Sequence, residues 1–303
     1  MAKWTASDIP SQSGRSAVVT GTGGLGLETA IALAKAGCEV IVAGRNPGKG
    51  AAAVATVRNK APGADVRFEQ LDLASLASVA DFAARLRSQR SSLDLLVNNA
   101  GVMVPPQRRT TADGFELQLG TNYLGHFALT GHLLPLLRES GEARVVMLSS
   151  IAARNGAIAF DDLNAEKSYR PMAVYSQSKL ACLMFALELQ RRSEASGWGI
   201  AGIAAHPGVS RTDLLHNAPG RWSATGLTRS LLWFLFQPAA QGALPTLFAA
   251  TSPGAKGGAY YGPDRLGETR GFPAEAKIPP RAQDAAAAAR LWHLSEHYTG
   301  MGF

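Results

Sequence analysis

From Ser16 onward, short runs rich in β-branched residues alternate with longer Ala- and Leu-rich segments, and this alternation limits the fold more than any other feature of the chain. It is the pattern of βα units, in which each strand returns parallel to the last through a covering helix. Strands are predicted at Ser16–Thr20, Glu39–Ala43, Val66–Gln70, Leu93–Asn98, Arg144–Ser149, Ile200–His206 and near Ala259–Tyr261. Between them lie helical segments at Leu25–Ala36, Gly48–Lys60, Ser75–Arg90, Glu116–Glu139, Ala173–Ser196 and Pro238–Ala250. An Ala-rich run from Asp284 to Trp292 predicts a closing helix over about 282–297. No repeat, low-complexity tract or Pro/Gly linker divides the chain, so one α/β domain over 1–303 is expected, a doubly wound parallel sheet of about seven strands flanked by helices.

Composition agrees with a globular chain: 46% of the 303 residues are hydrophobic and 17% charged. The formal charge of +7 would suit anionic partners. Lys and Arg are nevertheless scattered, with no dense basic run and no aromatic stacking motif, which argues against nucleic acid and for a solvated surface that steers a polyphosphate. Cys38 and Cys182 lie far apart without metal-ligand spacing, so no metal is expected and both thiols read as buried and reduced. The segment from Met1 to Gly14 has no apolar signal core, and the longest greasy stretch, Leu231 to Phe236, is far too short to span a bilayer. Cytoplasmic residence without an integral membrane segment is the resulting expectation.

Gly21, Gly23, Gly24, Leu25 and Gly26 form a turn directly after the first strand and before a helix. Glycines there let the backbone approach a pyrophosphate, whose charge the helix N-terminal amides meet, as in a Rossmann-type dinucleotide fold. About twenty residues beyond such a loop, folds that prefer NAD carry an acidic residue for the adenosine ribose. Here Gly44-Arg45-Asn46 occupies that place. An Arg can accept a 2′-phosphate, so Arg45 points to NADP(H), with NAD(H) as the secondary alternative; the competing reading is an ordinary surface Arg opening a turn.

Tyr175-Ser176-Gln177-Ser178-Lys179 opens an Ala/Leu-rich helix, and a spacing of four puts the phenol and the ammonium on one face. A phenol is a poor acid at neutral pH, and a neighbouring cation favours its ionised form, which suits alcohol and carbonyl interconversion. Ser149-Ser150 ends the fifth strand and Asn98-Asn99-Ala100-Gly101 the fourth, at the carboxyl edge where doubly wound folds bind ligands.

Taken together with Asp72-Leu73, Asn122 and Pro207-Gly208-Val209 reaching Thr212, these residues resemble the short-chain dehydrogenase/reductase family along nearly the whole chain. The resemblance implies a tetrad: Tyr175 as general acid/base, Lys179 binding the nicotinamide ribose and favouring the phenolate, Ser150 orienting the substrate oxygen, and Asn122 holding a relay water. It places Asp72 by the adenine, Asn98 toward the adenosine ribose, and Pro207, Gly208, Val209 and Thr212 around the carboxamide, with Leu73, Ala100 and Gly101 also among the cofactor-binding residues. Ser150 is chosen over Ser149 because strand alternation turns one of the two away.

One departure stands out: only Thr22 and Gly23 separate Gly21 from Gly24-Leu25-Gly26, so the loop is one residue shorter than the family's. Either the phosphate register changes, or Gly21, Gly23 and Gly26 restore the spacing of other dinucleotide binders. The resemblance further implies an apolar substrate lid over about 211–237, including Trp222, Trp233 and Phe234, unless these rings belong to the core or an interface. Phe160-Asp161-Asp162-Leu163 and Glu166-Lys167-Ser168-Tyr169 look like the retinol dehydrogenase and protochlorophyllide reductase branch. The expected activity is hydride transfer between NADP(H) and a lipophilic carbonyl or alcohol, by a homodimer or homotetramer assembled through Glu116–Glu139 and Ala173–Ser196. The competing function is a catalytically silent NADP(H)-binding regulator on the same fold.

Overall fold

A computed structural model describes residues 3–210 and 237–303. The strands are β1 (Ser16–Thr20), β2 (Glu39–Gly44), β3 (Val66–Gln70), β4 (Leu95–Asn98), β5 (Ala143–Leu148), β6 (Ile200–Ala205), β7 (Tyr260–Arg265) and β8 (Arg270–Glu275). They form one eight-stranded sheet in the order β3-β2-β1-β4-β5-β6-β7-β8. Neighbours are parallel through β7, and only β8 runs antiparallel. The winding reverses between β1 and β4, the place where such sheets open a ligand crevice at their carboxyl ends.

The eighth strand has no counterpart in the sequence reading, because its Gly and Pro residues read as turns. Pro263 of β7 faces Pro273 of β8. Proline is tolerated there because β8 is an edge and β7 pairs with β6 only at Tyr260 and Tyr261.

Alternation along the strands feeds two cores. Val18, Ile41, Leu96 and Val145 face one side, and Ala17, Val19, Val42 and Val97 the other. On the second side pack α1 (Gly24–Lys35), α2 (Pro47–Lys60) and the short α7 (Ala239–Gly242) and α8 (Leu244–Thr251). The sequence predicts α7 and α8 as one helix; they are two, with Pro245 in the first turn of α8.

On the first side lie α3 (Leu76–Gln89), α4 (Leu117–Leu119), α5 (Gly125–Glu139), α6 (Pro171–Ser196) and α9 (Ala285–Thr299). Ser75 caps α3, accepting from the Ser78 amide at 3.3 Å. The predicted single helix over Glu116–Glu139 is instead broken by a π turn at Gly120–Leu124, and Asn122 sits inside it. Proline at the first turn starts α6, and Gly197 ends it at φ 63°.

A helix with one apolar stripe buries only part of its surface. In α6, however, every residue from Val174 to Ala186 is buried. The sheet covers one side, and α9 with the tail behind it covers the other. Trp292 stacks on Phe185 at 5.5 Å and meets Phe127 edge-on at 5.0 Å, while Phe303 lies 4.9 Å from Phe127. Gly131 of α5 lets the tail pack close, since a methyl there would press on the side chains of Met301 and Phe303. The stretch 211–236, including Thr212 and all of the expected lid but Gln237, lies outside the described residues. Among the described residues no helix is long and apolar enough to cross a membrane.

Candidate active site

Above the reversal point, β1 hands over to the glycine turn. Gly21 adopts φ 103° and Gly24 φ 53°, and the Gly21 amide donates to the Ala43 carbonyl at 2.7 Å. Both angles favour glycine. Gly26 is fixed by space instead, because a methyl there would lie 2.8 Å from the Gly21 carbonyl oxygen. The shortened loop therefore closes normally, with Gly23 as the N-cap of α1 and the first amides of that helix facing outward. A cleft of about 550 Å³ opens beside it, lined by Gly21, Thr22, Gly23, Gly24, Leu25, Lys49, Thr56 and Asn99–Gly101. Its amides, helix dipole and lysine suit an anion such as a pyrophosphate.

The floor of this cleft is polar and closed. The Thr20 hydroxyl accepts the amides of Asn99 and Ala100, both at 2.9 Å, and contacts His126 Nε2 at 2.9 Å. With two amides already accepted, that hydroxyl gives its proton to Nε2, so Nδ1 carries the ring proton and donates to the Asn122 carbonyl at 2.9 Å. Burial above all drives the His126 pKa down to about 3, and the ring stays neutral.

A second cleft, of about 230 Å³, adjoins the first and shares Leu25, Asn99 and Gly101 with it. Ser149, Ser150, Tyr175, Lys179, Pro207, Gly208 and Val209 line it, with Met103, Leu148, Ile151 and Met172 supplying apolar surface. Lys179 Nζ donates to the Leu148 carbonyl at 3.0 Å, which anchors the ammonium to the end of β5. Ser149 is tied down through its hydroxyl to the Lys179 carbonyl at 2.7 Å. Ser150 instead caps the 3₁₀ turn Ile151–Asn155, accepting from the Ala152 amide at 3.2 Å. Among the described residues the Tyr175 hydroxyl makes no hydrogen bond, although its ring is nearly buried.

Other sequence-selected residues stand back from both clefts. Asn122 clamps the chain after β4: its Oδ1 accepts the Val102 amide at 2.7 Å, and its Nδ2 donates to the Val102 carbonyl and to Ser178 Oγ, both at 3.0 Å. Cys182 adds its thiol to the Asn122 carbonyl, so that oxygen has two protein donors. Asn98 is buried beneath the edge and donates to Thr130 at 3.1 Å; its neighbour Asn99 is the one that reaches both clefts. Strand alternation separates the two. Asp72 caps locally onto the Ala74 amide at 2.9 Å, Leu73 packs against Gly125, and Arg45 is exposed at the end of β2. Lys49, Thr56, Met103 and Met172 escaped the sequence reading; of these only Lys49 had a signal, a cation in the first turn of the helix after Arg45.

Residues 15–221 match the family model of the short chain dehydrogenases. Over 300 residues the chain is 41% identical to mouse polyprenol dehydrogenase, covering 97% of this chain and 86% of that protein. It is 40% identical to mouse retinol dehydrogenase 13, covering 95% of this chain and 84% of that one. A crystal structure of an uncharacterized protein from Mycobacterium paratuberculosis aligns with a TM-score of 0.83 at 41% identity, covering 100% of this chain and 99% of that chain.

Proposed function

The chain belongs to the short-chain dehydrogenase/reductase family, in its retinol dehydrogenase-like branch, and from that premise we propose an NADP(H)-preferring oxidoreductase that interconverts a lipophilic alcohol and its carbonyl, with Tyr175 as the general acid/base. The observation that carries this reading is the meeting of Tyr175, Lys179 and Ser150 in one cleft that shares a wall with the glycine-turn cleft. A nicotinamide dinucleotide, when bound, supplies or accepts the hydride. The amides of the glycine turn hold its pyrophosphate, and Lys179 holds the ribose next to the ring. Ser150 orients the substrate oxygen and Tyr175 gives that oxygen its proton, or removes it in the reverse direction. Leu25, Met103, Ile151 and Met172 exclude water and favour an apolar substrate, in keeping with relatives named for polyprenol and retinol. Asn122 acts in this reading as a clamp that fixes Gly101 and Ser178 around Lys179. A silent regulator would need no such set of groups, and carbonyl turnover with NADPH over a panel of aldehydes and ketones separates the two.

Arg45 and Lys49 supply the preference for a 2′-phosphate. A charge-assisted hydrogen bond contributes about 1.5–3 kcal/mol, so Arg45→Asp lowers the ratio of kcat/KM for NADPH over NADH by about tenfold to a hundredfold. Lys49→Ala lowers it in the same direction. Equal or better turnover of the wild type with NADH would remove this role from both side chains.

The family resemblance implied assembly through Glu116–Glu139 and Ala173–Ser196. Their outer faces are already filled by Trp292, Met301 and Phe303. We therefore propose that this face is closed to a second copy. Cross-links in a homodimer or homotetramer of the purified protein are then expected to fall outside α5 and α6. A dimer whose cross-links map to α5 and α6 would contradict it.

A further inference from the structure

The two walls of the cleft that holds Tyr175 come from distant parts of the chain. One is the 3₁₀ turn Ile151–Asn155 behind Ser150, the other the loop Pro207–Ser210. The turn from Leu266 to Thr269, with the Glu268 carboxylate at its centre, joins them.

Glu268 stands between β7 and β8, where Leu266, Gly267 and Glu268 adopt φ of 48°, 65° and 69° in succession. Non-glycine residues keep such angles only where their surroundings over-determine them. Here the surroundings are specific. Glu268 Oε2 forms an ion pair with Arg154 Nη2 at 2.5 Å and accepts from His206 Nε2 at 3.0 Å, while Oε1 accepts the Lys277 amide at 3.1 Å. The Gly208 amide donates to His206 Nδ1 at 3.2 Å, so the ring proton sits on Nε2 and goes to the carboxylate. Arg154 Nη1 donates to the Gly267 carbonyl at 3.0 Å, and Thr269 accepts the Val209 amide at 2.8 Å. Tyr260 closes the arrangement, lying 5.0 Å from the fully buried His206 ring and donating to the Ser150 carbonyl at 3.3 Å.

We propose that Glu268 is a positioning residue for the reaction: by holding Arg154 and His206 at one oxygen, it sets the separation between the turn that presents Ser150 and the wall Pro207–Ser210. The inference rests on the oxidoreductase reading above. Its physical basis is that ionic and charge-assisted contacts to a partly buried carboxylate fix geometry more firmly than neutral ones, and that a shift of about 1 Å in reacting groups costs up to about a hundredfold in rate. Arg154 belongs to the first wall and His206 to the second, so cutting either contact loosens the hold of one wall on the other.

Hydrogen exchange and steady-state kinetics on the full chain test this, comparing wild type, Glu268→Gln, Arg154→Met, and Glu275→Gln as a control on the same hairpin. Among the described residues the largely exposed Glu275 carboxylate forms an ion pair only with Lys256, at 3.9 Å, so its loss should change nothing. In Glu268→Gln the amides of Ala153 and Gly156 and those of Gly208 and Val209 are expected to exchange faster together. With NADPH and retinaldehyde as probes, kcat falls about tenfold to a hundredfold, and the isotope effect from 4-deuterated NADPH rises. The dissociation constant for NADPH stays within about threefold, which separates positioning from a general loss of fold. A Glu268→Gln/Arg154→Met double variant should be no worse than the poorer of these two singles, because both cut the same link. Loosening of only one of the two segments, or of neither, overturns the inference, as does an unchanged kcat and isotope effect. If Glu268→Gln fails to fold, Arg154→Met gives the same comparison from the other wall. A wild type that reduces no carbonyl with NADPH sinks the oxidoreductase reading, and the exchange comparison then decides on the link between the walls by itself.

Discussion

Replacing Tyr175 by Phe lowers kcat by about 10²–10⁴-fold while leaving nucleotide binding and thermal stability close to wild type. The substitution removes one oxygen and keeps the ring, which is nearly buried against the start of α6. Because the hydroxyl has no hydrogen-bond partner among the described residues, no donor or acceptor there is stranded by its loss, and the usual penalty for breaking a buried bond does not arise. What disappears, on the proposed reading, is the proton donor facing the cleft. Nicotinamide absorbance measures the rate, quenching of tryptophan fluorescence measures nucleotide affinity, and a melting curve checks the fold. A purified variant turning over at the wild-type rate would show that another group handles the proton.

The largest effect on stability is expected at the far end of the chain. Trp292→Ala costs about 3–5 kcal/mol, the range for deleting a buried aromatic side chain. Trp292 is 1% exposed and touches Phe127, Phe185 and Phe303, so three helices and the tail lose contact at once. Arg192, stacked 4.4 Å over the indole, keeps its ion pair with Glu188 at 2.7 Å and cannot fill the gap. For a chain of this size the melting temperature should drop by roughly 10 °C. A drop within about 2 °C would mean that α9 is an appendage and not part of the core.

The parallel sheet was legible because β-branched runs and Ala/Leu-rich runs alternate in the sequence, and seven strands lie where that alternation puts them. What escaped was set by geometry that composition does not encode. β8 carries Gly271 and Pro273, residues that signal turns anywhere but at an edge, so Glu268 and its partners went unread with it. The π turn around Asn122 adds a wider loop to a helix without interrupting its apolar run, and hydropathy does not register such a step. Tyr175 and Lys179 were readable from a spacing that a helix turns into proximity. Asn98 and Asn99 show the limit of the same approach: both end one strand, and only the pleat decides which of them reaches the cleft.

The Thr20 hydroxyl, which gathers two amides of the β4 end and a neutral imidazole, has a mechanical consequence for access. Asn99 returns a bond to the Thr20 carbonyl at 2.7 Å, so the strands on either side of the reversal are pinned like the leaves of a closed hinge. A molecule arriving there cannot wedge them apart. It must come over the rim, and the pace of its arrival and departure is then governed by the loops above the sheet, in the nanosecond to microsecond range of such segments, with the baseplate itself standing still.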